Sequence, residues 1–461
     1  MAILPVGIGS AEEGGYQIER SLRFNSADDA YLTRTPAGAG NRKTWTWSSW
    51  IKLGRLANAF ENQDTIFNAY TDDNNRASII FQDNAENKFD FFSMTGGSVN
   101  ARLTTTQAFR DFSAWYHVIV AVDTTQATNT DRLKMYVNGV QVTAFSTATY
   151  PSQNTDLQIN TASAHDIGAS RFSGSVGPYY YDGLMTEVHF VDGQQLSPTD
   201  FGEFNSDTGV WQPIEYTGTY GTNGFYLDFA DNSSTTTLGY DAAGSNDWST
   251  SGFSVTAGAG NDSLVDSPTR YGTDTGAGGE VRGNYATWNP LDTRGGAVPI
   301  DGNLNPGVDN SKGVRGTVGV TSGKWYWEFT LVTASTDYAI GISNQNPFGT
   351  YVGSNTDSVG YVAAGGEVLR NASVIQTYGA WNTSGKVVGF ALDQDAATLQ
   401  LFVDGVSQGA AFSHSLAGTI FPMINFGTGY GTPTGAINFG QRPFAFSAPS
   451  GFKALVTTNL P

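Results

Sequence analysis

The chain has 461 residues and a formal charge of −18; at roughly 100–200 residues per domain, this length holds two to four domains. Glycine accounts for 56 residues and charged residues for 14%, where about 7% and about 25% are usual. Helical bundles and coiled coils need charged helix formers on their solvated faces, so both are excluded. With 13% aromatic residues, the chain is too apolar to be wholly disordered. A mostly β protein is expected.

So acidic a chain repels phosphate backbones and anionic surfaces unless a basic patch overrides the field. The densest basic cluster is Arg42 beside Lys43, so no nucleic-acid partner is expected. The absence of cysteine removes disulfides, thiolate metal sites and cysteine nucleophiles. No run of 18 apolar residues occurs, and the first residues lack the basic start of a secretory signal. Membrane insertion and signal-directed export are therefore not expected.

Residues 1–20 read as an irregular arm. Ile3, Leu4, Val6 and Ile8 make it an anchor or a frayed end, and both readings stay open. From 21 to 213 come short apolar or alternating runs at Thr44–Leu53, 65–69, 77–81, 115–122, Leu133–Val137 and 184–191, separated by Gly, Asn, Asp, Ser and Thr. Antiparallel strands joined by turns give this pattern. In Thr44–Leu53 the alternation puts Trp45, Trp47 and Ser49 on one face and Thr46, Ser48 and Trp50 on the other. One short helix is predicted over 197–204, capped by Ser197 with Pro198 in its first turn.

Residues 214–284 are rich in Gly, Ser, Thr, Asn and Asp and are expected to form a polar connector with a few strands, at 224–229 and 248–256. Strand patterns return over 285–461, at 314–320, 325–331, 338–342, 387–392, 399–403 and Phe421–Phe426. A second β-sandwich is the simplest reading. The two halves also echo each other: Trp115 precedes Asn138-Gly139 by 23 residues, and Trp381 precedes Asp404-Gly405 by 23. Asn-Gly and Asp-Gly between alternating runs predict hairpins with type I′ turns, which need positive φ at both central residues.

The first region, with SLRF at Ser21–Phe24, the Trp-rich strand, WYHVIV at 115–120, the hairpin after Leu133 and DGLMTEVHF at 182–190, resembles laminin-G-like domains of the concanavalin A-like superfamily. The second, with SGKWYWEF at 322–329, YAIGI at 338–342, VGFALD at 388–393, LQLFVDG at 399–405 and FPMINF at Phe421–Phe426, resembles a SPRY domain. The implied fold is all-β, two antiparallel jelly-roll sandwiches joined by the polar connector. The pairing, closed by GQRPF at 440–444 and GFKAL at 451–455, resembles structural proteins of tailed bacteriophages. That resemblance implies a virion-surface fiber, appendage or decoration component that contacts other virion proteins as a homo-oligomer and is released by lysis. A purely structural decoration protein and a glycan depolymerase are the alternatives.

No enzyme signature is present: no HExxH, P-loop, GxSxG or Rossmann glycine pattern. Glycosidases of the concanavalin A-like fold need alternating carboxylates on a strand, whereas Glu occurs only eleven times and without that spacing. Asp393 and Asp395 alternate, but at a predicted turn. No catalytic residue and no cofactor are expected. His117, His165, His189 and His414 are widely spaced, and His117 and His189 read as structural members of strands. Calcium fits the acidic loops 71–75, 231–233 and 260–262, but ordinary Asx turns use the same residues, so no metal ligand is assigned. Glycan binding needs exposed rings beside polar groups. Tyr179, Tyr180 and Tyr181, in a predicted loop over 177–183, and Trp248 in the connector are the expected ligand-binding residues for a host surface polysaccharide. Trp325 and Trp327 are expected in the core.

Overall fold

The computed structural model describes residues 15–55, 63–82, 86–274, 280–308, 312–336, 338–426 and 434–461. The apolar positions of the arm, Ile3, Leu4, Val6 and Ile8, lie outside the described residues. The chain is all-β: among the described residues the helical segments are three-residue 3-10 turns. The described residues up to Val255, with Asp262–Thr269, form one compact unit, and Thr256–Asn261 with Arg270–Pro461 form a second.

The first unit is built on two eight-stranded sheets. In the first sheet Thr44–Leu53 lies between Tyr116–Asp123 and Gly183–Asp192. Ser21–Phe24 follows on the far side of Gly183–Asp192. The second sheet runs from Phe145–Thr149 through Ser98–Ala108, Lys88–Thr95, Asn75–Gln82, Gln63–Asp72, Ala164–Ile167 and Tyr31–Arg34 to Ser249–Ser251. The expected alternation of Thr44–Leu53 holds: Trp45, Trp47 and Ile51 enter the main core with Phe67, Phe91 and Phe190. Its other face is covered too, because a smaller cluster of Ile119, Ala121, Val191 and Phe201 packs there with Tyr216 and Tyr220. Hence nine of the ten residues of this strand are buried. The expected helix over 197–204 is one 3-10 turn, Pro198–Asp200, with Ser197 and Asp200 in a capping box. The chain then extends into the hairpin Gly202–Phe204 with Trp211–Pro213.

The segment expected as a connector forms its expected strands within 224–229 and 248–256, and most of it belongs to the first unit rather than lying between two domains. Phe225–Leu227 pairs with Gly183–Asp192, Ser249–Ser251 with Tyr31–Arg34, and Ser263–Leu264 with Ser21–Phe24. Its scarce apolar residues Phe225, Leu227, Leu238 and Trp248 all sit in the core. Two of its buried acids meet buried cations: Lys52 Nζ lies 2.7 Å from Asp266 Oδ2 and Arg23 Nε lies 2.8 Å from Asp262 Oδ1. A polar segment can be buried where its apolar residues enter the core and its buried polar groups are hydrogen-bonded or paired. Ile18 is buried as well, its N–H donating to Thr269 Oγ1 at 3.0 Å.

The second unit has two seven-stranded sheets. One runs from Trp288–Arg294 through Gly313–Gly316, Phe421–Phe426, Tyr338–Ser343, Ser358–Val362 and Glu367–Arg370 to Ser373–Thr377. The other centres on Lys324–Leu331, between Val387–Asp393 and Gly435–Asn438. Trp325 and Trp327 are buried, Trp327 stacking on Phe390 with centroids 5.7 Å apart. Glu328 is buried on the same strand. Its carboxylate accepts from the N–H groups of Ala445 (2.7 Å) and Phe446 (2.9 Å) and from the Tyr326 hydroxyl (3.0 Å), which pins the segment after Gln441.

The two echoing hairpins form as predicted. Leu133–Val137 pairs with Val140–Gln141, and Thr398–Val403 with Val406–Ser407. Their turn residues have positive φ: 48° and 78° at Asn138 and Gly139, 48° and 74° at Asp404 and Gly405. Asn, Asp and Gly tolerate this region, so the turn chemistry sets the register of both hairpins.

Candidate functional site

The tyrosine triplet lies on a hairpin of the first unit rather than in a loop. Ala169–Phe172 pairs with Ser175–Tyr180 through a turn at Ser173 and Gly174, both with positive φ. The turn is pinned by Asp73, which accepts from the Ser173 N–H and the Tyr70 hydroxyl, both at 2.9 Å, while the Tyr70 hydroxyl accepts from the Gly174 N–H at 2.9 Å. Pairing extends the strand to Tyr180, so Tyr179 and Tyr180 point to opposite faces, and Tyr181 lies beyond its end. The triplet is therefore divided.

Tyr181 is fully buried, edge-on to Phe24 at 5.7 Å, and its hydroxyl donates to the Lys52 carbonyl at 2.8 Å. Burial pushes its hydroxyl well above the ordinary tyrosine range. Trp248 is 3% exposed and packs edge-on against Phe225 at 4.9 Å. Neither ring has a face to offer a sugar, and both assignments as ligand-binding residues are corrected here: each is an anchor of the core.

Tyr179 and Tyr180 remain half-buried. Tyr180 meets Tyr31, also half-buried, with centroids 6.4 Å apart and planes tilted by 47°. Arg171 on the same hairpin makes a two-pronged pair with Asp166, at 2.6 and 2.9 Å, and donates to Thr33 Oγ1 at 3.1 Å. Phe172 beside the turn is 55% exposed. Burial, then the charge of Asp29, pushes the Tyr180 hydroxyl up, so it stays a neutral donor and acceptor at physiological pH. Half-exposed rings beside a fixed guanidinium and carboxylate can stack on the C–H face of a sugar while its hydroxyls are hydrogen-bonded. Sequence reasoning missed Tyr31 and Arg171. Tyr31 comes after the Asp28-Asp29 turn in an alternating run, but its place beside Tyr180 depends on pairing with Ala164–Ile167, more than 130 residues away.

Two other clusters with chemical potential, around His117 and Glu187, are occupied. His117, 1% exposed, accepts at Nδ1 from the Trp211 indole N–H (3.0 Å), and its Nε2 meets Ser48 Oγ at 2.8 Å; Trp50 stacks on it at 5.0 Å. Since Nδ1 accepts, the proton of the neutral ring is on Nε2. Burial, reinforced by His189, lowers its pKa to about 3. Glu187 sits at a bulge of Gly183–Asp192 with φ of 53°. Its two oxygens accept from the Tyr16 and Tyr226 hydroxyls, each at 2.7 Å, while His189 Nδ1 bonds the Tyr220 hydroxyl at 2.8 Å and its ring stacks on Tyr226 at 4.3 Å. These contacts use the polar atoms to hold the sheet's outer layer together. The acidic loops make turn contacts: Asp72 accepts from the Asn74 N–H and Asp231 from the Ser233 N–H, while Asp262 pairs with Arg23. Among the described residues no group of three or more His, Cys, Asp or Glu converges on a point that could hold a metal ion.

Residues 25–200 match the family model of the concanavalin A-like lectin/glucanases superfamily, and residues 324–442 match that of the SPRY domain. The chain carries a concanavalin A-like domain followed by a SPRY domain. The tyrosine hairpin belongs to the concanavalin A-like domain, and Trp327 and Glu328 to the SPRY domain. Among solved structures, the SPRY domain of human HERC1 is 21% identical, with 32% of this chain and 96% of that one covered and a TM-score of 0.30. The TRIM65 PSpry domain is 16% identical, covering 33% and 92%, with a TM-score of 0.28. A heptameric SAP-like pentraxin from Limulus polyphemus is 16% identical, covering 40% and 80%, with a TM-score of 0.30.

Proposed function

We propose that the chain is a non-enzymatic recognition protein of a phage particle surface, a fiber, appendage or decoration component that binds a host surface polysaccharide through the tyrosine hairpin. The observation that carries the binding reading is the half-buried pair of Tyr31 and Tyr180 beside the Arg171–Asp166 pair. The particle-surface reading is supported by the resemblance of the domain pairing to tailed-phage structural proteins and by the net charge of −18, which suits an exterior better than contact with packaged nucleic acid. Repeated attachment sites on a particle favour a homo-oligomer.

A glycan array probed with the purified protein tests the binding site. Saturable binding to at least one surface polysaccharide is expected, weakened about tenfold or more in a Tyr179→Ala/Tyr180→Ala variant, since each ring lost removes stacking and a hydroxyl partner, together at least 1.4 kcal/mol. Binding unchanged by the double substitution would remove the hairpin from the site. No binding to any glycan would leave the structural decoration reading in its place.

A further inference from the structure

The second unit holds a cavity of about 350 Å³ that no sequence motif marks. It opens among the loop after Tyr338–Ser343, the turn before Ser358–Val362, the end of Glu367–Arg370 and the segment after Phe412–Ser413. The loop is held from behind: buried Arg315 donates to the carbonyls of Asn344 (3.0 Å) and Asn346 (2.7 Å). The side-chain amides of Asn344 and Asn346 both donate to Asp357 Oδ1, at 2.9 and 2.7 Å, which favours the charged carboxylate. Across the cavity Arg370 donates to the Ser415 carbonyl at 2.9 Å, Ser415 being held at φ of 52°. The Arg370 Nε–H is buried without an acceptor among the described residues, a state that calls for a water or a ligand.

This volume is at the lower end of the roughly 300–1,000 Å³ of small-molecule sites, which are mostly apolar. Here Ala417 is the one lining residue without a polar side chain, the others bearing amides, hydroxyls, one guanidinium and one carboxylate. Lipids and apolar peptides gain nothing from such walls. Phosphate and other anions meet Asp357, and a divalent cation meets Arg370. A neutral polyol, each hydroxyl both donor and acceptor, matches walls in which donors and acceptors alternate without net charge. We propose that this cavity binds one neutral sugar residue, with Asp357 accepting from its hydroxyls and Arg370 and the amides donating to them. The site is separate from the tyrosine hairpin and would give the chain a second point of glycan contact. Without an aromatic platform its affinity is about millimolar.

Saturation-transfer NMR on the full chain, with glucose, galactose, mannose and N-acetylglucosamine as probes and glucuronate and inorganic phosphate as anionic controls, tests the assignment. At least one neutral pyranose should show transfer that persists in Tyr179→Ala/Tyr180→Ala, weakens about tenfold in Asp357→Asn or Arg370→Gln, and disappears in Ala417→Trp. The last fills the cavity from an exposed position, and an unchanged thermal transition shows that it folds. No transfer from any neutral pyranose, transfer that survives Ala417→Trp, or tighter binding of phosphate or glucuronate would each overturn the proposal.

Discussion

Replacing Lys52 with methionine is expected to cost the first unit about 3–5 kcal/mol, the usual penalty for stranding one partner of a buried ion pair. Lys52 and Asp266 are both at most 2% exposed at the side chain, 2.7 Å apart, and the Trp115 indole N–H donates to the other Asp266 oxygen at 3.0 Å. Burial pulls the Lys52 ammonium down in pKa, and the neighbouring Asp266 opposes that pull. A methionine leaves the carboxylate in the same dry place opposite a thioether. A Lys52→Met/Asp266→Asn double variant should regain more than half of the loss, because no uncompensated charge remains. Urea unfolding followed by tryptophan fluorescence measures both. A single-variant loss below about 1 kcal/mol would be the value of a solvated pair, and would mean that Asp262–Thr269 does not dock on the first unit as described.

The second large effect is on pH dependence. His117 has a folded-state pKa of about 3, against about 6.5 for an unfolded histidine. Between these values the unfolded chain binds one more proton than the folded one, so stability rises with pH across the window. The contribution of the neutral ring is complete above pH 6.5 and is lost as pH falls toward 3, on the order of 4–5 kcal/mol in all. Asp64 has the opposite sign: burial raises its pKa to about 6, so its contribution shrinks as pH rises toward that value. The wild-type curve mixes the two, and the informative quantity is therefore a difference. In His117→Gln, where the amide can still accept from Trp211 and donate to Ser48, the slope of stability against pH between 4 and 6 should fall by about 1.4 kcal/mol per pH unit. An unchanged slope would mean that His117 is solvated and titrates normally in the folded protein.

The parts of the fold legible in the sequence are those where local chemistry decides. Asn138-Gly139 and Asp404-Gly405 gave their turns away because few other residues tolerate positive φ at two successive positions. Trp45 and Trp47 were readable from period-two alternation, and Trp325 and Trp327 from the same pattern. What local pattern could not show is which long-range partner a polar segment finds. Residues 225–227 and 263–264 sit among Gly, Asn, Asp and Ser, and their membership of the first unit rests on pairing with strands from elsewhere in the chain.

The candidate site divides along the same line. Three consecutive tyrosines announced something unusual, but the paired strand ends at Tyr180, and Tyr181 beyond it packs in the core while Tyr179 and Tyr180 stay half-buried. Trp248 looked exposed only because its neighbours are polar; one large ring among small residues is more often the group that anchors them. Asp357 and Arg370 carry no motif, and only the folded loops bring them to one cavity.

Recognition without cleavage is tested by incubating the purified protein with the polysaccharide that the glycan array identifies and measuring new reducing ends over time. Saturable binding with reducing ends no higher than in a protein-free blank is the expected result. Reducing ends that accumulate in proportion to protein concentration would contradict it, and would make the chain a glycan-cleaving enzyme.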